Sequence, residues 1–426
     1  MSRLKTARRK VIIGLDGVPF QLIEQLTATG HMPNLRDIIN EGVFLEMASS
    51  IPEVSSVAWS SIITGTNPGE HGIYGFSELA PGTYRLRFPN FDDLKVPPFW
   101  LDEKIGRSVI LNVPSTYPAR ELNGVLIAGF VALDLTKATF PPSIVPKLQE
   151  MDYRIDVETE KAHRSMGLFL RHLDATLRSR IAVYRYLWDS EDWQNFVLVF
   201  TGTDRLAHFL WDAFEEAEHP YRKAFLAYFS EIDRVIGEIA ARLNPQDALI
   251  VLSDHGFESL ERTLHVNQFL KDLGFLRLRN DPPKSFNDMG YDTTAFALDP
   301  ARIYIHTEGR YPRGSVREGD RRSVIRDLTE AFESWEVNGR RVVDQILHGK
   351  DIYQGPCLKA APDLVLISKS GLGLRGSLAV TNVAEERVFT GKHTHHDAFL
   401  VVRGLVETDL PISPSVSDVL GVFKAL

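Results

Sequence analysis

Three aspartates of the sequence each end an apolar run that is typical of a buried strand. Asp16 follows VIIGL, Asp204 follows LVFTGT and Asp254 follows LIVLS. A single Asp after a strand is usually a turn former or a helix cap. Three such positions, with amphipathic helical patterns between the runs, favour an α/β fold. Because α/β sheets place their chemistry at the carboxyl ends of their strands, we expect these carboxylates at a functional site.

Two of these acids are accompanied by a histidine. His208 follows Asp204 by four residues, which places both side chains on one face of a helix, and His255 follows Asp254 directly. Carboxylate and neutral imidazole groups are ligands of Zn, Mn and Fe. The sequence has one cysteine, Cys357, which excludes an internal disulfide and a cysteine zinc cluster. The pattern therefore predicts metal binding by Asp and His side chains.

A further histidine cluster lies just before an apolar, strand-like run. The segment FTGKHTHHDAFLVV contains His393, His395 and His396. The alternative interpretation is a polar surface turn. Two metal ions explain the Asp and His residues better, because a pair of divalent ions can hold both the attacking and the leaving oxygen of a phosphoryl group. One ion can also deprotonate a serine hydroxyl, which is a poor nucleophile when free.

A stretch rich in serine and glycine, SIPEVSSVAWSSIITGTNPGEHGIYGF, contains the candidate nucleophile. Ser55 and Ser56 follow an extended run with a proline and precede a helical apolar pattern that ends before Gly65. A helix start has unpaired N–H groups and a positive dipole end, so an anion such as a phosphoryl group is favoured there. The alternative is plain N-capping by serine.

The composition limits the partners of the chain. Its 426 residues, 44% of them hydrophobic and 24% charged, can bury a large core. The net charge of −8 argues against a nucleic acid polymer, which attracts clustered Lys and Arg. The sequence has neither an apolar run of about 18 residues nor a signal-peptide pattern. We therefore expect a cytoplasmic protein without a membrane span, and the oligomeric state stays open.

One long region departs from the regular alternation of strands and helices. Between about residues 260 and 386 the order of predicted elements is less regular, and we expect part of this region to form a smaller cap over the site. No internal repeat and no low-complexity linker marks a boundary between independent domains. The prediction is a single catalytic domain over residues 1–426, with a cap contributed approximately by 260–386.

The motifs together resemble a known family. LDGVPF, PEVSSVAWSSIITGTNPGEHGI, FTGTDRLAHFLW, LSDHGF and GKHTHHDAFLVVRG occur in the order found in the alkaline phosphatase superfamily, within its type I phosphodiesterase/nucleotide pyrophosphatase branch. The resemblance runs over most of the chain. It implies a mostly parallel central sheet flanked by helices on both faces, a smaller cap formed by insertions, and a metal-dependent phosphohydrolase with a small phosphate-ester substrate.

Position by position, the resemblance implies a nucleophile and two metal sites. Ser55 matches the family nucleophile, and His393 matches the family's Gly-x-His better than the two later histidines do. Zinc is the expected metal, with manganese as the alternative. The resemblance assigns the residues that would bind the two ions as Asp16, Ser55, Asp254 and His255 for one, and Asp204, His208 and His393 for the other.

Two departures from the family concern the reacting groups. Many nucleotide pyrophosphatases have Thr at the nucleophile and an Asn that stabilises the transition state, and here Ser55 and Phe76 occupy these positions. Serine preserves the chemistry, because other members of the superfamily use it. The missing amide donor would be replaced by a helix N-terminal N–H near Ser56 or by Asn112.

The charge that a bound substrate can carry depends on the cations near the nucleophile. A dianionic monoester needs an additional cation at its nonbridging oxygens, and the segment around Ser55 offers none. Arg205 and Lys392 are the nearest candidates, but a lone Arg or Lys usually faces solvent. We therefore predict a preference for a diester or another singly charged substrate, selected by the cap. The candidate substrate-binding residues are Asn112, Phe76 and Lys392.

The predicted function is hydrolysis of phosphodiester or nucleotide pyrophosphate bonds through a covalent phosphoserine. The alternative within enzymes is a phosphomonoesterase or phosphonate hydrolase with the same two metals. The alternative of another class is a catalytically silent α/β protein, that is, one without enzymatic activity in which the metals only stabilise the structure. All seven ligand and nucleophile positions carry competent residues, which argues against the silent protein.

Overall fold

The computed structural model describes residues 8–378, 389–404 and 410–426, and these form two compact units. The first contains the described residues of Met1–Thr66, Asn90–Glu258 and Val388–Leu426, and the second those of Asn67–Pro89 and Ser259–Arg387. The predicted cap falls in the second unit as far as residue 378, and its residues 379–386 lie outside the described residues. Its role over the site, and the single catalytic domain, stay predictions.

An eight-stranded sheet forms the centre of the first unit. In chain order the strands are β1 (Lys10–Leu15), β2 (Gly42–Met47), β3 (Ser108–Leu111), β4 (Gly124–Ile127), β5 (Thr139–Phe140), β6 (Asn195–Phe200), β7 (Ala248–Leu252) and β8 (Ala398–Arg403). Across the sheet they follow the order β2-β8-β7-β1-β6-β3-β4-β5. Strand β8 is antiparallel to both neighbours and β5 to β4, whereas the other adjacent pairs are parallel. The sheet is mostly parallel, as predicted.

Helices cover both faces of this sheet, which also confirms the predicted fold class. They are α1 (Phe20–Ala28), α2 (Pro33–Asn40), α3 (Ser55–Thr64), α4 (Val145–Glu150), α5 (Glu160–Arg164), α6 (Met166–Ser190), α7 (Gly202–Glu215), α8 (Arg222–Arg242) and α9 (Val419–Ala425). Val11 and Ile13 pack with α1, α2, α6, α7 and α8. Ile12 packs with α3 and α9. Since successive side chains of a strand alternate between faces, the two clusters lie on opposite faces.

Short elements complete the first unit. Gly256–Ser259 pairs with Gly391–Thr394 in a two-stranded ribbon, which carries His393. The 3-10 helices are Phe91–Asp93, Phe99–Leu101, Glu103–Ile105, Pro142–Ile144 and Val416–Asp418.

Over the described ranges, no helix of either unit is both long enough and apolar enough to cross a membrane.

The carboxyl ends of three neighbouring strands bring the three aspartates to one edge of the sheet. Asp16 directly follows β1, Asp254 follows β7 after one residue, and Asp204 lies in the first turn of α7, just after β6. Strands β7, β1 and β6 are adjacent and parallel, so their carboxyl ends meet at the same edge. This edge therefore carries the candidate site.

The second unit has its own sheet and core. Its four-stranded antiparallel sheet has the order Ala295–Leu298, Arg302–Ile305, Leu364–Ser368 and Val343–His348. Its two-stranded ribbons pair Glu78–Leu79 with Leu86–Arg87, Arg262–His265 with Leu372–Arg375, and Glu336–Val337 with Arg340–Arg341. Its α-helices are Pro68–His71, Val266–Asp272, Arg321–Glu333 and Gly349–Ile352, and its 3-10 helices are Phe286–Asp288, Glu318–Asp320 and Leu358–Ala360.

Candidate active site

Ser55 is the first residue of α3 and is almost fully buried. The N-cap position belongs to Val54, which has an extended backbone and no side-chain capping bond, so plain N-capping does not account for Ser55. The Ser55 hydroxyl donates to Asp16 Oδ1 at 3.2 Å, and its Oγ lies 3.3 Å from His255 Nε2. The helix ends before Gly65, whose φ of 66° is left-handed, as the sequence predicted.

The two carboxylate oxygens of Asp16 have different neighbours. Oδ1 faces Ser55, whereas Oδ2 accepts a hydrogen bond of 3.1 Å from the indole Nε1 of Trp59, which is fully buried. In β1 a Cβ on Gly14 would stand 2.2 Å from Trp59 Cη2, so the indole occupies the space that glycine leaves. From the sequence, Trp59 belongs to the apolar helical pattern after Ser55 and to the aromatic residues near the site that would suit an aromatic leaving group. Its hydrogen bond to Asp16 was not predicted, although the i,i+4 spacing from Ser55 places both side chains on one face of the helix.

Asp254 and His255 are fully buried at the end of β7. Asp254 Oδ1 accepts from the backbone N–H of Gly17 at 3.0 Å. Its Oδ2 lies 3.5 Å from His255 Nε2 and has no hydrogen-bond partner among the described residues. A buried carboxylate oxygen without a donor is costly, so this oxygen fits a bound cation. Gly17 has a φ of +65°, a left-handed conformation that favours glycine in the turn after β1. A Cβ at this position would also lie only 3.1 Å from Asp204 Oδ1.

Three histidines present the same ring nitrogen to the site. Each Nδ1 lies within hydrogen-bond distance of a backbone carbonyl: His208 of Gly391 O at 3.2 Å, His255 of Gly256 O at 3.0 Å and His393 of Glu53 O at 2.9 Å. A carbonyl oxygen only accepts, so each Nδ1 carries the hydrogen. Each neutral ring then has a lone pair on Nε2, which is the arrangement of a metal-binding histidine held by an outer partner.

The Nε2 atoms converge with the carboxylates at distances that a bound proton or metal ion would relieve. His393 Nε2 lies 2.9 Å from His208 Nε2 and 3.0 Å from Asp204 Oδ1. Two lone pairs at this distance repel each other unless a positive ion lies between them. In two groups the ligand atoms all lie within 4.8 Å of one another: Asp16, Asp254 and His255, and Asp204, His255 and His393. His255 takes part in both groups, whereas the sequence analysis assigned it to one ion.

The electrostatics of these residues also favour a bound cation. Burial, and then the charges of Asp254 and Asp204, raise the pKa of Asp16 well above its usual range. Burial raises the pKa of Asp254 to about 8 and lowers the pKa of His255 to about 4. Burial opposes ionisation of Asp204, but His208, His393 and Arg205 together outweigh it and hold the pKa of Asp204 well below its usual range. These buried acids cannot all be charged without bound cations.

The side chains of Arg205 and Lys392 do not face solvent, so the expectation that they do is wrong. Arg205 has a side chain 12% exposed, with NH1 at 2.8 Å from Asp204 Oδ2 and NH2 at 3.0 Å from Asp156 Oδ2. Lys392 Nζ lies 2.9 Å from Glu258 Oε1. Both charges are therefore already paired with carboxylates. Asp156 was missed by sequence reasoning, since no motif or periodicity marks it.

The remaining candidates have definite positions, and their roles stay predictions. Asn112 follows β3, is fully buried, and donates from Nδ2 to Tyr153 Oη at 2.5 Å. Phe76 is half-buried in the second unit. His395 is half-buried and His396 exposed, and neither belongs to the two groups of converging ligands among the described residues.

Comparison with known proteins gives one family and a common fold. A family model described as type I phosphodiesterase/nucleotide pyrophosphatase matches residues 10–394. No curated protein sequence matches. Phosphonoacetate hydrolase from Sinorhizobium meliloti 1021 in complex with phosphonoacetate is 16% identical, with a TM-score of 0.66 over 98% of this chain and 96% of that chain. Murine and human ectonucleotide pyrophosphatase/phosphodiesterase 5 are 12% identical, with TM-scores of 0.56 and 0.55 over 98% of this chain and 94% of theirs.

Proposed function

This chain belongs to the type I phosphodiesterase/nucleotide pyrophosphatase family, and on that premise we propose that it cleaves phosphodiester or nucleotide pyrophosphate bonds through Ser55. It is a phosphoric ester hydrolase. The observation that carries the proposal is the position of buried Ser55, the first residue of a helix, whose hydroxyl donates to Asp16 Oδ1 and lies 3.3 Å from His255 Nε2 instead of capping the helix.

The proposed reaction has two steps on phosphorus. In the first, Ser55 Oγ gives up its proton and forms a bond to phosphorus while the bond to the leaving oxygen breaks; the leaving oxygen takes up a proton, and the resulting phosphoserine keeps the second substituent of the substrate. In the second, water gives up a proton and forms the new bond to phosphorus, while the Ser55 oxygen leaves and regains its hydrogen. The unpaired N–H groups at the start of α3 would stabilise the nonbridging oxygens in both steps. An amide near Ser56 can thereby replace the asparagine that is absent at Phe76.

The donor set fits two divalent ions. We propose that Asp16, Ser55, Asp254 and His255 hold one ion and Asp204, His208 and His393 the other, with zinc as the expected metal and manganese as the alternative. The proposal is supported by the orphaned Asp254 Oδ2 and the converging Nε2 lone pairs. When bound, such ions would lower the pKa of the serine hydroxyl and stabilise charge on the phosphoryl oxygens. The backbone carbonyls at Nδ1 fix the orientation of the three histidine rings.

The pairing of the nearby cations favours a singly charged substrate. A dianionic monoester needs an additional cation at its nonbridging oxygens, and Arg205 and Lys392 are both engaged by carboxylates. We therefore propose a preference for diesters over monoesters. Asn112, Phe76 and Lys392 remain candidate substrate-binding residues, and a cytoplasmic location remains a prediction from composition.

Matched aryl substrates test the proposed activity. Metal-reconstituted protein is assayed with bis-p-nitrophenyl phosphate, p-nitrophenyl phosphate and an aryl phosphonate, and kcat/KM is compared. A higher kcat/KM for the diester supports the proposal. A monoester preference of about tenfold, equivalent to roughly 1.4 kcal/mol in transition-state binding, would instead favour a phosphatase. Absence of turnover in protein that contains two ions would favour the silent alternative.

A further inference from the structure

Arg205 forms a partly buried bridge between two carboxylates. Its NH1 lies 2.8 Å from Asp204 Oδ2 and its NH2 lies 3.0 Å from Asp156 Oδ2. The guanidinium carbon is 4.1 Å from the centroid of the Phe130 ring, so an aromatic ring also packs against the planar group. The side chains of Arg205 and Asp156 are 12% and 21% exposed. The guanidinium is therefore fixed by three partners at once.

Because of this bridge, the two carboxylate oxygens of Asp204 have different neighbours. Oδ2 faces the arginine, whereas Oδ1 lies 3.0 Å from His393 Nε2 and 3.4 Å from His208 Nε2. Without the arginine, rotation about the last side-chain bond of Asp204 would exchange the oxygens at little cost. With it, a single oxygen is presented to the converging histidine nitrogens.

The bridge has no obvious role in stability. A buried ion pair is weak evidence for stabilisation, because the loss of hydration offsets most of the attraction. Arg205 and Asp204 are also adjacent on a helix, where neighbouring residues do not face each other. The long arginine side chain must fold back to reach Asp204, and Asp156, from the segment before α5, holds it there.

We propose that Arg205, itself held by Asp156, is a positioning residue that keeps Asp204 oriented toward the metal site. The proposal rests on the proposed two-metal function. Metal sites lose about 10- to 100-fold in affinity when an outer partner of a ligand is removed. Arg205→Met is therefore expected to weaken one of the two ions by about this factor and to leave the affinity of the other unchanged.

The experiment measures metal affinity directly, without turnover. Chelator-treated full-length protein is titrated with Co²⁺, followed by its visible absorption, and with Zn²⁺ in competition. Arg205→Lys keeps a cation but has one nitrogen, which cannot bridge both carboxylates, so the same ion should weaken. Asp156→Asn should weaken it less. Arg185→Met is the control, because Arg185 is an arginine of the same unit whose hydrogen bonds among the described residues are to Glu238, which is not a site residue.

A double variant separates positioning from a general structural effect. If Asp156 acts only through Arg205, then Arg205→Met combined with Asp156→Asn should bind metal no more weakly than Arg205→Met alone. Additive losses, or unchanged affinities in both Arg205→Lys and Asp156→Asn, would overturn the proposal. These two milder variants decide the question if Arg205→Met does not fold. Wild-type protein that takes up no divalent ion would instead overturn the proposed metal chemistry, and the positioning role with it.

Discussion

Replacing Trp59 with Phe removes the donor that holds the outer oxygen of Asp16. The indole Nε1 donates to Asp16 Oδ2 at 3.1 Å in a fully buried environment. A hydrogen bond to a charged group contributes about 1.5–3 kcal/mol. Because phenylalanine has no donor, the ionised form of Asp16 loses this amount, and a metal that needs the carboxylate binds correspondingly less well. The expected loss in affinity is about 10- to 150-fold at one of the two ions.

Calorimetric titration of chelator-treated protein with Zn²⁺ measures this loss. Trp193→Phe is the matched control, because Trp193 is also a buried indole of the first unit and donates to the carbonyl of Trp188 at 3.3 Å, away from the site. Urea unfolding of both metal-free variants reports their packing losses. If Trp59→Phe bound both ions with wild-type affinity, or lost no more than Trp193→Phe, the argument from the Asp16 oxygens would be refuted.

Three further predictions concern the nucleophile, the histidine cluster and acid stability. Ser55→Ala should abolish turnover with metal content nearly intact, while Ser56→Ala should cost far less; equal effects in steady-state assays would contradict the choice of Ser55. His393→Ala should empty the second metal site first in elemental analysis, whereas equal loss from His395→Ala would count against that assignment. Burial lowers the pKa of His71 from 6.5 to about 3, so the unfolded state takes up its proton first as the pH falls. The contribution of neutral His71 to the free energy of unfolding is fully present above pH 6.5. It falls by roughly 1.4 kcal/mol per pH unit as the pH drops toward 3. Urea unfolding of metal-free His71→Gln should show a correspondingly smaller decline below pH 6.5 than wild type, and parallel declines would disprove the effect.

Much of the sheet edge that carries the site could be predicted, because residues close together in the sequence indicate each strand and the aspartate that follows it. Asp16, Asp204 and Asp254 each follow an apolar run, and this pattern depends only on residues within a few positions. The order of strands across the sheet has no such local signal, since it depends on how distant segments pair. The adjacency of β7, β1 and β6 therefore came from the structure, and the place of His393 was implied only by the family resemblance.

The residues that orient the ligands were harder to predict. The hydrogen bond from Trp59 to Asp16 had no signal, because an indole that donates to the site and one that only fills an apolar stripe follow the same helical period. Arg205 was expected in solvent because an isolated arginine usually is. Asp156 had no signal, since its partner lies 49 residues away in the chain. The carbonyl oxygens that fix the histidine rings cannot be identified from residue type at all, because every residue has one.

The late position of β8 in the chain has a consequence for biosynthesis. Strand β8 lies between β2 and β7 and is antiparallel to both, so β2 has no neighbour in the central sheet until β8 has been made. At ribosomal rates of about 5–20 residues per second, the roughly 350 residues between them take some tens of seconds to emerge. The pairing of β2 is therefore a late event, and until then a strand edge that the mature sheet covers has no partner strand to protect it from aggregation.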